Sequence, residues 1–314
     1  MNSKFETPQE QSQSTIEKIK ETKQELESLL NNPEENKKGI LELTQEIEKL
    51  NSILKEEIEE RIKKQALFYE GNHKEIKTES RPEILETLSK SESKKVRAFI
   101  AENPNTPVKT LQKLSDDEEE DVRASVAKNL NTPLNLLKKL SSDESKLVRA
   151  FVAENPNASV KILQALSKDE FHATKIFVVE NPNVSEEILQ ALSEDESEYV
   201  RASVALSSNT PSHILKRLSK DEHERVRRST ALNSSTPKEA LQELSKDPFE
   251  KVKEGVAHNP NTPKDVLEEL SKDGSGWVRE GVAQNPSTPK ETLKELSEDS
   301  MHSVKIIALK RIKD

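Results

Sequence analysis

Apolar residues between Thr15 and about Tyr69 recur at helical spacing. A first stripe runs through Ile16, Ile19, Leu26, Leu29 and Leu30. The run Asn31-Asn32-Pro33-Glu34-Glu35 interrupts it. Asn32 as N-cap, Pro33 in the first turn and Glu35 three residues on form a helix-restart signal. A second stripe continues at near-heptad spacing through Ile40, Leu43, Ile47, Leu50, Leu54, Ile58 and Ile62. So narrow a stripe in charged surroundings requires another helix against it. Two arrangements satisfy it: an antiparallel hairpin that closes on itself or caps the repeat region, and a coiled-coil arm for dimerisation or docking. Residues 15–70 are therefore expected as a helical hairpin, and residues 1–14 as disordered.

Beyond Gly71 the spacing changes to a strict period of 26. Leu85, Leu111, Leu137, Leu163, Leu189, Leu215, Leu241, Leu267 and Leu293 form one column. Three residues on, Leu88, Leu114, Leu140, Leu166, Leu192, Leu218, Leu244, Leu270 and Leu296 form another, each followed by serine. Nine units stand in register without an insertion across residues 80–314.

In the unit beginning at Thr106, that threonine is expected to cap a helix opening at Pro107, with Thr110, Leu111 and Leu114 on its inner side. Asp117 is expected to cap a second helix with Val122 and Val126 inward, ending near Asn129. The hinge NPNTP at Asn103 recurs at Asn259, and as NPNAS at Asn155 and NPNVS at Asn181. Its asparagine and proline stop one helix and its Thr-Pro opens the next. A pair this small cannot bury its own apolar face, so the units must stack, giving a right-handed or nearly straight all-α solenoid behind the hairpin.

Composition narrows the function. The chain is 32% hydrophobic, 3% aromatic and 34% charged, which excludes one large core. Its net charge of −9 comes from an acidic excess in both the hairpin and repeat regions, unlike the basic stripe a nucleic-acid binder needs. Without cysteine, thiolate metal sites and cysteine nucleophiles are excluded. No apolar run reaches membrane-spanning length, and the polar start lacks a signal-peptide core. The default location is cytoplasmic.

The unit T-P-x-x-x-L-x-x-L-S-x-D-x-x-x-x-V-R-x-x-V-A-x-N-P-N resembles the leucine-rich repeat variant family. Its second half, Asp117 then Val122-Arg123, is similar to the HEAT-repeat pattern. The resemblance implies a short helix stacked on a longer one in a right-handed superhelix, serving as a scaffold for other macromolecules. One member type carries an iron–sulfur cluster on an N-terminal cysteine segment, which a chain without cysteine cannot supply, so no cofactor is expected.

Arg97, Arg123, Arg149, Arg201, Arg227 and Arg279 form a basic column, completed by Lys175, Lys253 and Lys305. An aspartate stands six residues before it in eight of the nine units, so an Asp–Arg ladder between units is expected rather than an anion rail. No histidine lies three or four residues from another, and there is no Gly-rich phosphate loop or nucleophile elbow. The chain is read as a non-enzyme, with DNA alkylation-repair and bilin-attachment types as the enzymatic alternatives.

Recognition must then reside in columns that vary. On the second helix, positions equivalent to Asp121, Ala124 and Lys128 point away from Val122 and Val126 at about 100° per residue. In units three to five they read Leu147, Ala150, Ala173, Ile176, Tyr199, Ala202 and Leu206, an apolar track on a face expected to be wet. Phe99, Phe151 and Phe177 occupy an adjoining column where most other units have serine or glycine, either tucked between helices or widening the track. Trp277 shares the column of Leu147 and Tyr199. The candidate partner-binding residues are thus Leu147, Ala150, Phe151, Ala173, Ile176, Phe177, Tyr199 and Trp277. The expected partner is a protein or peptide, neither nucleic acid nor membrane, with a homodimer through residues 15–70 as the alternative.

Overall fold

The computed structural model describes residues 8–30, 36–71 and 79–313. Among them are twenty helices and no strand. Helix α1 spans Pro8–Leu29 and α2 spans Lys37–Gly71. The restart signal at Asn32 lies outside the described residues. Helix α1 opens at Pro8, so residues 8–14 are helical rather than disordered. Proline is at home in a first turn, and the Glu and Gln residues after it are good helix formers. From Pro82 onward each unit alternates a seven-residue first helix with a nine-residue second helix, from Pro82–Leu88 and Lys94–Glu102 to Lys290–Leu296 and a longer final helix, His302–Lys313.

The chain divides into two compact bodies, Met1–Ser125 and Val126–Asp314. In the first, α1 and α2 pack together. Thr15 Oγ1 donates to Glu57 at 3.2 Å and Asn36 donates to the Leu29 carbonyl at 3.1 Å, which makes the pair antiparallel. Ile19 is buried against this seam, and Leu43, Ile47, Leu50 and Leu54 are half-buried. Helix α2 also touches the first repeat helix, and Asn51, Leu54 and Ile58 face Glu83, Glu86 and Thr87 across a cleft of about 600 Å³. The hairpin therefore closes on itself and lies against the first unit.

The repeat core consists of the two leucine columns, each side chain at most 3% exposed, and the Val/Ala positions of the second helices. The column of Val122, Val148 and Val200 contains one polar exception, Thr174. It is fully buried, and its Oγ1 has no hydrogen-bond partner. Thr174→Val keeps the shape and removes that orphan, so it should raise stability by about 1–2 kcal/mol, read as a higher urea midpoint at unchanged slope.

Two capping expectations change. The second unit's first helix begins at Val108, one residue past Pro107, and Thr106 donates backward to the Ile100 carbonyl at 2.5 Å. Thr132, Thr210, Thr236, Thr262 and Thr288 do the same six residues back. The last turn of a helix leaves carbonyls unpaired, and a hydroxyl just past the turn reaches one of them. Where Thr-Pro is lost, the cap moves forward: Ser159 and Ser185 accept from the Ile162 and Ile188 amides at 3.5 and 3.4 Å. Likewise Asp117 lies three residues before its helix, Glu120–Lys128, and accepts the Glu119 N–H at 3.0 Å, an Asx turn that leads into the helix.

Candidate partner-binding face

The charged columns pair as a ladder. Arg97 grips Asp117 of the next unit by Nε at 2.7 Å and Nη2 at 2.9 Å, while Nη1 donates to the Ser91 and Glu92 carbonyls. Arg149, Arg201, Arg227 and Arg279 repeat this fork on Asp169, Asp221, Asp247 and Asp299. Lys175 and Lys253 make single contacts to Asp195 and Asp273. Each aspartate thus bridges a cation twenty residues back and an amide two residues on.

Burial pushes the carboxyls of Asp117, Asp221 and Asp273 up, but the paired cation and the turn amide hold them below their ordinary value of 3.8. For Asp299 the Arg279 hydrogen bond is the largest influence and lowers it too. A depressed folded-state pKa gives stability that is complete above the unfolded value and is lost as the pH falls through the folded one. The urea midpoint should therefore hold at neutral pH and drop below about pH 4.

With the basic column committed, the variable face of units three to six in the second body carries what remains. These second helices are Lys146–Glu154, His172–Glu180, Glu198–Leu206 and Glu224–Leu232, and each packs beside its neighbour. Leu147, Tyr199 and Leu206 are 39%, 50% and 56% exposed. Ala173, Ile176, Phe151 and Phe177 are half-buried.

Ala150 departs from expectation: it is 2% exposed, and Ala202 is buried as well. A position pointing away from its own core still meets the flank of the adjacent second helix, and only a small side chain lets the two approach. At Gly281 and Gly255, in the neighbouring column, an added Cβ would fall within 2.9 Å and 3.0 Å of Ala257 and Ala231. The last units accordingly leave no room for the phenylalanines seen in units three and four.

This packing leaves two grooves. One, of about 470 Å³, is lined by Ile176, Tyr199, Ala202, Leu206 and Arg225, and ends at Glu180 and Ser207. The other, of about 440 Å³, is lined by Phe151 and Phe177 with Leu130 and Lys128, whose Nζ lies 3.8 Å from the Phe151 ring centroid. The structure thus brings Ile176 to Tyr199 and Phe151 to Phe177. Trp277 is 56% exposed but is separated from Tyr199 along its column by Arg225 and Lys251, so it is not part of the track.

Sequence reasoning missed His172, Phe171 and Arg225. The His172 ring stacks on Tyr199 at 6.4 Å and 22°, Phe171 lies against His172, and the Arg225 guanidinium sits 5.0 Å from the Tyr199 centroid. The one signal in the sequence was Phe171 standing where other units have Ser145, Ser197 or Ser275. Among the described residues no cluster of His, Asp and Glu is arranged to hold a metal ion.

Stacked helix pairs of fixed length, with an invariant inner side and a variable outer one, define the molecule as an α-solenoid repeat protein. The chain is similar to a solved leucine-rich repeat variant, described as having a novel repetitive structural motif, with 26% sequence identity over 71% of this chain and 88% of that one and a TM-score of 0.55. The resemblance read from the repeat is thereby shown at the level of structure. The Escherichia coli protein YibA also aligns, at 18% identity over 78% of this chain and 96% of that one, with a TM-score of 0.37. No protein-family model and no curated protein matches the chain. No described helix is long and apolar enough to cross a membrane.

Proposed function

We propose that the protein is a non-enzymatic scaffold that binds a protein or peptide segment along the second-helix face of units three to five. The observation that carries this reading is the pair of apolar-walled grooves, one bordered by exposed Tyr199 and Leu206, with exposed Leu147 on the preceding second helix. Exposed apolar residues scattered singly need no explanation, but apolar side chains converging on concavities mark recognition sites.

The test is selection of peptides from a random display library on the full chain, compared with the Leu147→Glu/Tyr199→Glu/Leu206→Glu variant. Because all three side chains are solvated, the variant should keep the parent unfolding midpoint. Its affinity for the selected peptides should fall about tenfold or more. Peptides that bind both proteins equally would contradict the proposal.

A second reading rests on Leu41 and Ile53, which are exposed on α2 away from the α1 seam. It makes the hairpin a homodimerisation element. Light scattering of the full chain against a chain beginning at Ser80 separates the two readings, since only a hairpin dimer goes from two copies to one on truncation.

A further inference from the structure

The two grooves are one feature of the repeat, seen at two places in the stack. Moved two repeats along the chain, Lys128, Phe151, Glu154, Asn155, Pro156 and Phe177 of the smaller groove fall on Glu180, Ser203, Leu206, Ser207, Ser208 and Ser229 of the larger one. What differs is the filling. In the smaller groove the chain supplies two rings of its own, and Lys128 Nζ sits over one of them, 3.8 Å from the Phe151 centroid. In the larger groove both ring positions hold serine, and a carboxylate replaces the amine. The second helices keep the same nine-residue length throughout, so the volume that rings take up in units three and four is left open in units five and six.

This space is reachable from solvent. Glu180, Tyr199, Leu206, Ser208, Asn209 and Arg225 line it and are all exposed, and Ser203 is half-buried. Ile176, Ala202, Leu206 and the Tyr199 ring give it apolar wall. Arg225 adds a cation at its edge. The guanidinium lies 5.0 Å from the Tyr199 centroid, and among the described residues it forms no ion pair, unlike Arg227 two residues on, which grips Asp247.

We infer that the larger groove takes an aromatic side chain of the partner segment, with a carboxylate of the same segment on Arg225. The inference rests on the reading that this face binds a peptide. The occupant is read from the chain itself, because the same groove two repeats earlier is filled by phenyl rings. A ring buries a large apolar area and has only two side-chain torsions to order, so it gains more on entering such a groove than a flexible chain of similar size. The carboxylate follows from charge, since a guanidinium without a counter-ion offers a planar fork of N–H donors to it.

The test uses the peptides selected on the full chain. They should carry an aromatic residue and, at a fixed offset from it, Asp or Glu. Replacing the aromatic residue with leucine should weaken binding several-fold, and with alanine about tenfold or more. Ser203→Phe gives the groove the ring that Phe151 supplies two units earlier, so it should lower affinity about tenfold with an unfolding midpoint no lower than the parent's. Ser203→Ala adds no bulk and should bind as the parent does. On Arg225→Gln, peptides with the acid and with its amide should bind equally. Peptides that need Tyr199 and Leu206 but tolerate loss of the ring, that bind Ser203→Phe undiminished, or that still prefer the acid on Arg225→Gln overturn this assignment alone, as does a Ser203→Phe midpoint well below the parent's. Peptides indifferent to Tyr199→Glu and Leu206→Glu overturn the underlying reading.

Discussion

Asn259→Ala should cost about 3 kcal/mol of stability, among the largest losses for any single side chain in the repeats. Its amide donates to the Ala231 and Asn233 carbonyls, and its oxygen accepts the Asn261 N–H at 2.9 Å, in a position only 1% exposed. Alanine removes all three of these bonds: it leaves the buried Ala231 carbonyl without its donor, takes one of two donors from the Asn233 carbonyl, which keeps the Thr236 N–H, and frees the Asn261 amide, at roughly 1 kcal/mol for each bond lost. Asn259→Asp keeps the acceptor but replaces the donor with a buried charge, and should be at least as damaging. The lone tryptophan, Trp277, stands in the following unit and reports the local transition in urea. A loss below about 1 kcal/mol would mean that water replaces the amide and that this asparagine is not a principal inter-unit tie.

Asp247→Ala should cost a comparable amount, about 3 kcal/mol, for a different reason. The Asp247 side chain is 6% exposed and that of Arg227 12%, so removing the carboxylate leaves a guanidinium largely out of water, held by the Asp221 and Glu222 carbonyls and the face of the Phe249 ring but with no counter-charge in contact. It also frees the Phe249 N–H that opens the next helix. Asp247→Asn retains that turn and loses only the charge, so it should fall between parent and alanine. In the double variant Arg227→Met/Asp247→Ala the stranded charge is gone. Its cost should be smaller than the sum of the single costs by about 2 kcal/mol, and strict additivity would show that the pair is not coupled.

The repeat was readable because its period is written in side chains that cannot be exchanged. Leucine at both inner positions of a seven-residue helix leaves only one way to bury it, and a 26-residue spacing repeated nine times fixes the stack. The Asp–Arg ladder was readable as a spacing, although Arg97, Arg149, Arg201, Arg227 and Arg279 grip the aspartate twenty residues ahead and give their own unit bonds to backbone carbonyls. The role of asparagine was hidden. In NPNTP it reads as a helix stop, whereas its amide acts on carbonyls 26 and 28 residues earlier, a relation no local rule encodes. The same limit applied to Thr106, whose bond runs backward, and to Ala150. A single helix places Ala150 outward, and only the neighbouring second helix buries it. For the candidate face, Leu147, Ile176 and Tyr199 were found by column variation. His172 and Arg225 were passed over because charged or polar residues are ordinary at their positions until a ring stands beside them. Ser203 and Ser229 were visible in the phenylalanine column, yet they gained meaning only once the groove they line was seen beside the one that Phe151 and Phe177 line.

Peptide or protein capture on the second-helix face can be read directly with a photo-crosslinking amino acid placed at Tyr199 or, as the control, at exposed Lys161 on the first helix of unit four, in the cells that make the protein. A discrete crosslinked species at position 199, absent at 161 and lost when Leu147 and Leu206 are changed to Glu, is the expected result. No adduct at 199, or equal adducts at both positions, would contradict the assignment of this face as the binding surface.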